Sequence, residues 1–187
     1  MKPKAPKGLR FFYLIAMDIQ ENIINKVAQS GLLSFDLADL HHTGERVVYD
    51  IKKNLFHGLM LKEKDFRAFI KENDWQVYQG KNVAIICSTE AIVPTWAYML
   101  IASKLTGVAN YFVFGDINIL ETSLYLAAIE KIDVSTFENQ RLVIKGCGEI
   151  AIPTAAFIAL TAKLLPFVKS IMYGEPCSTV PIYKKKD

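Results

Sequence analysis

Two stretches of this chain, Val83 to Asp116 and Leu142 to Glu175, align without a gap at an offset of 59 residues: VAIICSTEAIVPTWAYMLIASKLTGVANYFVFGD against LVIKGCGEIAIPTAAFIALTAKLLPFVKSIMYGE. Ile85/Ile144, Glu90/Glu149, Pro94/Pro153, Thr95/Thr154, Ala97/Ala156, Lys104/Lys163, Leu105/Leu164 and Gly115/Gly174 coincide. Ordinary residue usage gives only about two matches in such a window. A buried strand, a turn, Pro-Thr, an apolar helix and a second strand closing on Gly and an acid thus occur twice. This predicts a duplicated β-α-β unit.

The rest of the pattern extends that unit. Ile23, Ile24, Val27 and Ala28 recur at helical spacing before Ser30-Gly31, predicting a short N-terminal helix. LLSFDLADL reads as a brief strand or arm, HHTGE as a polar turn, and Arg46 to Ile51 as a strand. Lys62 to Asn73 carries Phe66, Phe69 and Ile70 on one face and charges on the other, which suits a surface helix. Strands and helices alternate from Val83 onward, with helices from Pro94 to Leu105, Leu120 to Ile132 and Pro153 to Leu164. Such alternation implies parallel pairing with right-handed crossovers. The expected fold is α/β: a three-layer, mostly parallel sheet with an internal duplication and an N-terminal helix. No linker interrupts 17–187, which reads as a single domain. Residues 1–16 read as an extension or a misassigned start, because MDIQENIINKVAQSG makes a clean beginning at Met17.

Composition limits the functional classes. Of 187 residues 51% are apolar, enough for a two-sided core, and the net charge of +3 equals the excess carried by Lys184, Lys185 and Lys186. That balance argues against a nucleic-acid partner. The apolar run Ile92 to Ile101 is broken at Pro94-Thr95 and falls short of the roughly 20 residues of a membrane span. The start KPKAPKGLRFFYLIAM lacks the cleavage site of a secretory signal. Three cysteines, an odd number without such a signal, point to reduced thiols and a cytoplasmic setting.

In open parallel sheets, ligands bind beyond the carboxyl ends of the strands, where loops and helix N-termini converge. Cys87, Glu90, Asp116, Cys147, Glu149, Glu175 and Cys177 all map to such ends. Three thiolates there would suit zinc or iron, with His57, Asp116 or Glu175 as a fourth ligand. No C-x-x-C pair supports that reading, and two others stay open. Free cysteines pack well as small hydrophobes, and a thiol beside a helix start is open to reaction. Pro94 and Pro153 suit the first helical position, and Val93 and Ile152 before them offer no capping oxygen.

Other templates fit less well. Gly146-Cys147-Gly148-Glu149-Ile150-Ala151 imitates a dinucleotide fingerprint, but Pro153 places the helix start too late and the first copy lacks the glycines. No phosphate-binding loop, H-E-x-x-H or G-x-S-x-G is present. His41 and His42 read as solvated turn residues. His57, between Phe56 and Gly58, is the better ligand or general base.

GERVVYDIK, the block NLFHGLMLKEKDFRAFIKENDWQVYQGKNVAI, CSTEAIVPTWAYML, VIKGC and the closing KSIMYGEPCSTVPIYKKK together resemble the uncharacterised bacterial family labelled domain of unknown function 2480. The resemblance runs from about Asn25 to Lys186 and implies a cytoplasmic setting without assigning a reaction, a cofactor or a small-molecule ligand. Two readings of function follow from the residues. One is a thiol-centred metal site. The other is a non-catalytic interaction module with packed cysteines, which forms a homo-oligomer or partner contact through aromatics such as Trp75, Tyr78 or Tyr183. A third, a Cys-dependent enzyme, requires His57 to reach a thiol.

Overall fold

The computed structural model describes residues 31–146, 148–175 and 178–186. The chain divides into two units, Met1–Leu32 and Leu33–Asp187. All described regular structure belongs to the second, with β1 (Leu32–Asp36) starting at the boundary. The strands β2 (Arg46–Asp50), β3 (Asn82–Ile86) and β4 (Tyr111–Phe114) pair in parallel in that order. A second sheet has the order β1-β5-β6-β7, formed with β5 (Arg141–Lys145), β6 (Ser170–Glu175) and β7 (Ser178–Lys184). Here β5 and β6 are parallel, and β7 returns antiparallel along β6. The α/β class and the mostly parallel pairing agree with the sequence pattern. The single sheet does not, because the strands divide between two.

Helix α3 (Ile117–Glu130) explains the division. Its Leu120 and Leu124 pack with Ala84 of β3, while Tyr125 and Ile129 pack with Leu142 and Ile144 of β5. A helix apolar on two sides needs cover on both, and each sheet supplies one. The opposite face of the β2-β3-β4 sheet is closed by α1 (Glu63–Glu72) and α2 (Thr95–Leu105). There Phe66, Ile70, Ala97, Ile101 and Leu105 surround Tyr49, Val83 and Ile85. In the second sheet α4 (Thr154–Leu164) does the same through Ala156, Leu160 and Leu164.

The 59-residue spacing extends beyond the aligned stretches. β3 and β5, α2 and α4, and the starts of β4 and β6 are separated by it. So are the 3-10 turns Trp75–Tyr78 and Val134–Phe137, each begun by an Asp side chain (Asp74, Asp133) accepting from the N–H two residues on. The Gly80 N–H donates to the Val108 carbonyl at 2.9 Å, and that of Asn139 donates to the Phe167 carbonyl at 2.8 Å. Both donors have positive φ, 69° and 58°, a conformation that Gly and Asn tolerate best. β4 and β6 also reach Gly115 and Gly174 at φ 137° and 116°. A Cβ on Gly115 would lie 2.6 Å from the Ile119 side chain, so helix α3 can start close against the strand end only with glycine there.

Several local expectations shift. Pro94 and Pro153 stand one place earlier than expected, at the N-cap, with ψ of 142° and 136°; a φ near −65° suits either position, but the extended ψ keeps them outside the helix. Lys184 closes β7, and the Lys185 N–H donates to the Lys169 carbonyl at 2.9 Å. Pro181 lies in β7, an edge strand beside the register shift at Ile171/Met172, where a missing N–H is tolerated. Trp75 is buried, not exposed. Its indole N–H donates to the Ile70 carbonyl and its ring stacks on Tyr49. Tyr78 and Tyr183 are half-buried against the cores. The expected helix at Ile19 to Gln29 and the start at Met17 lie outside the described residues. No described helix is long and apolar enough to cross a membrane.

The two-sided burial of α3 gives a direct test. Leu120→Ala is expected to cost about 2–5 kcal/mol of unfolding free energy, the range for a buried leucine. Leu126→Ala, at a position 37% exposed, should cost less than about 1 kcal/mol. Urea unfolding of both variants decides, and equal losses would refute the placement of α3.

Candidate functional site

The carboxyl edge of the β2-β3-β4 sheet is organised by Asp50, the last residue of β2. Its Oδ1 accepts from the N–H groups of Lys52 at 3.0 Å and Ser88 at 3.1 Å, and its Oδ2 accepts from the Ser88 hydroxyl. The loop after β3 is thereby tied to the loop after β2. Partial burial pushes the Asp50 pKa upward, but the bonds from Ser88 and Lys52 and the Lys52 charge outweigh it and hold the carboxyl below its usual range. Cys87, just before this tie, is half-buried and donates its thiol to the Thr89 carbonyl at 3.2 Å.

His57 lies in a turn closed by the Phe56 N–H to the Met60 carbonyl at 2.7 Å, with φ 51° and its ring edge-on to Phe56. That turn is linked to the loop after β3 where the Ile92 N–H donates to the Leu59 carbonyl at 3.1 Å. The loops carrying His57 and Cys87 are therefore joined. The remaining candidates separate. Glu90 and Glu149 are exposed, and Asp116 caps α3 by accepting from the Ile119 N–H at 2.9 Å. Glu175 pairs with Lys145 at 2.7 Å on the other sheet. Cys147 and Cys177 lie outside the described residues, but their neighbours fix their strands: Cys147 follows β5 and Cys177 follows β6, whereas Cys87 follows β3. The premise that all three connections leave one sheet does not hold. Among the described residues no group of three or more His, Cys, Asp or Glu side chains could hold a metal. The glycines around Cys147 precede a helix that starts only at Thr154, too late for a dinucleotide cradle.

The sequence pattern missed two features. At the amino ends of β2, β3 and β4, His42 is no solvated turn residue. Its Nδ1 accepts from the Gly44 N–H at 3.0 Å and lies 3.0 Å from the buried Asn82 amide, and its Nε2 lies 3.0 Å from that of Asn110. The second is an apolar groove of about 670 Å³ between α4, β6 and β7, lined by Phe157, Ile158, Leu165, Met172 and Ile182 among others. Among its lining residues Thr154, Thr161 and Tyr173 carry hydroxyls. Ile158 is 66% exposed and Ile182 52%. The apolar residues Val180 and Ile182 alternate along β7, but Pro181 between them hid that signal.

Residues 21–185 match the family described as a protein of unknown function, DUF2480. No curated protein and no solved structure matches the chain.

If the Ser88 hydroxyl helps to hold the Asp50 charge, Ser88→Ala should raise the Asp50 pKa toward the ordinary value of about 3.9. A carboxyl NMR titration measures it. Because the folded pKa is depressed, this tie stabilises the protein above the unfolded value and is lost as pH falls through the folded one. The destabilisation by Ser88→Ala should therefore be present at neutral pH and vanish in acid. An unmoved midpoint would remove Ser88 from the account.

Proposed function

Since the chain belongs to the DUF2480 family, whose description assigns no activity, its role is read from its own surfaces, and we propose that it is a non-catalytic interaction module that binds a second copy of itself through the α4–β6–β7 groove. The groove carries this reading. Its floor is concave and apolar, and Ile158 and Ile182 stand out along its walls. A ridge beside a matching hollow is what a two-fold contact requires, since each copy offers both parts to the other. Large exposed apolar patches on soluble chains usually mark such contacts. Val180, 58% exposed and two residues before Ile182 on the same face of β7, extends the patch toward the roughly 1,200–2,000 Å² of a stable interface.

Duplication of an ancestral β-α-β unit belongs to the same proposal. It is supported by the recurring turns, hydrogen bonds and glycines at the 59-residue spacing. The equivalent surface of the first copy exposes Met99 by 66% and Phe114 by 63%, but among the described residues β4 ends its sheet and no strand walls a groove there.

Sedimentation at micromolar concentration tests the contact. A dimer is expected, and Ile158→Glu or Ile182→Glu should weaken it at least tenfold. A wild-type monomer, or a dimer indifferent to both substitutions, would refute it.

The thiol-centred reading, a zinc or iron site of Cys87, Cys147 and Cys177 with His57 or an acid, keeps one support. Cys147 and Cys177 follow neighbouring strands, and Glu175 ends one of them. Metal analysis of purified protein beside the triple Cys→Ser variant decides: metal only in the parent sustains it, and none in either removes it. A Cys-dependent reaction would draw on the joined loops of Cys87 and His57. Rapid modification of the native protein by a thiol reagent at neutral pH is its first requirement.

A further inference from the structure

Away from the groove, at the carboxyl end of β2, a cavity of about 290 Å³ lies between the 3-10 turn that follows the strand and the first turns of α1. Two ammonium groups border it. Lys62 holds its Nζ 3.1 Å above the centre of the Phe56 ring, and Lys53 holds its own 4.2 Å from the Tyr49 ring. Among the described residues neither ammonium has a carboxylate at ion-pair distance. The ion pairs among the described residues involve other cations, namely Arg46, Arg67, Lys81, Lys145 and Lys163. Cation-on-ring contacts are weaker than charge-assisted hydrogen bonds to a carboxylate, so both cations keep capacity for an anion.

The remaining lining completes a binding site of two halves. Asn54 accepts the Tyr49 hydroxyl on its Oδ1 at 2.8 Å, which fixes the amide and leaves its N–H₂ as the donor side. Lys62 is the N-cap of α1 and provides no side-chain cap, so the helix adds a weak positive pole at the same place. Phe56, Phe66 and Phe69 supply an apolar wall. Asp65 also lines the cavity, so two positive charges meet one negative charge. That excess of one suits a monoanion. Partial burial lowers the Lys53 pKa by more than the charge of Asp50, which is outside the cavity lining, raises it.

The geometry points to a site for a small monocarboxylate with an aromatic or other apolar body, its carboxylate held between Lys53, Lys62 and the Asn54 amide and its body against Phe56, Phe66 and Phe69. No covalent step is involved. The site belongs to the carboxyl edge of a parallel sheet, the usual position for ligands in such folds, and it is independent of self-association through the α4 groove.

Benzoate is the probe, followed by two-dimensional amide NMR of the full chain, with benzamide and inorganic phosphate as comparators. Benzoate should bind saturably and shift the amides of residues 53–56 and 62–66. Lys53→Met and Lys62→Met, whose folding the same spectra report, should each weaken it at least tenfold. Benzamide, which lacks the charge, and phosphate, which lacks the apolar body, should each bind at least tenfold more weakly than benzoate. Failure of benzoate to saturate, indifference to both lysine substitutions, or equal binding of phosphate would overturn the proposal. The self-association reading is unaffected by any of these results, because Ile158 and Ile182 lie outside the probed cavity.

Discussion

Helix α3 is the element on which the two sheets jointly depend. Leu120, Tyr125 and Ile129 are at most 1% exposed and Leu124 is 7% exposed, yet they face two different cores. At roughly 1.5–3 kcal/mol for each fully buried side chain, α3 contributes on a scale comparable to the whole net stability of a domain. The amino end of β2 is fastened to the same helix. Arg46 at the start of β2 makes a two-point pair with Glu121, one bond at 3.1 Å, and also donates to the Gly44 carbonyl. Tyr125, one helical turn further on, sinks its hydroxyl where no described residue accepts or donates to it. Burial first, and then the Glu121 charge, raise its pKa and keep the phenol neutral. A helix required by two cores thus holds an unpaired hydroxyl at their junction, at a cost outweighed by the ring it buries.

The fold was legible in the sequence to the level of elements. Period and punctuation located α1, α2 and α4 nearly to the residue, because Pro, an apolar stripe and a following break act locally. Strand neighbours were not legible. Alternation of strands and helices implies parallel crossovers but not which strands meet, and β1 lies beside β5 after more than a hundred intervening residues. The one local clue was in α3 itself. Leu120 and Leu124 form one i,i+4 row, and Tyr125 and Ile129 form another, five residues on and so about 140° around the helix. Two such rows signal cover on two sides, whereas a single stripe signals one.

The site was less legible for a related reason. Reading all the strand ends as one rim placed three thiols together. Division into two sheets leaves Cys87 on a different rim from the connections of Cys147 and Cys177. The features that stand out in the structure draw on residues with no motif of their own. Lys53, Lys62 and Asn54 read as ordinary surface chemistry until the turn after β2 and the start of α1 bring them to one cavity. His42 likewise sits in a polar sequence, and only the fold supplies Asn82 and Asn110.

The two carboxyl rims also differ in ways that limit shared chemistry. At the 59-residue spacing Cys87 matches Gly146 and Ser88 matches Cys147. Ser88 is committed to Asp50, whereas Asp36, the matching strand end in the second sheet, accepts from the Ala38 N–H at 2.9 Å to cap its own turn. A Cβ at Gly146 would meet the edge of the Phe157 ring at 2.4 Å, so the ring could not keep its place beside a larger residue. Phe157 in turn packs edge-on against Tyr173 at the groove. With no side chain at 146, room is left for the ring that lines the groove. The position that holds the Cys87 thiol beyond β3 is thus held beyond β5 by a glycine packed under an apolar wall, so the two rims present different chemistry at matching places.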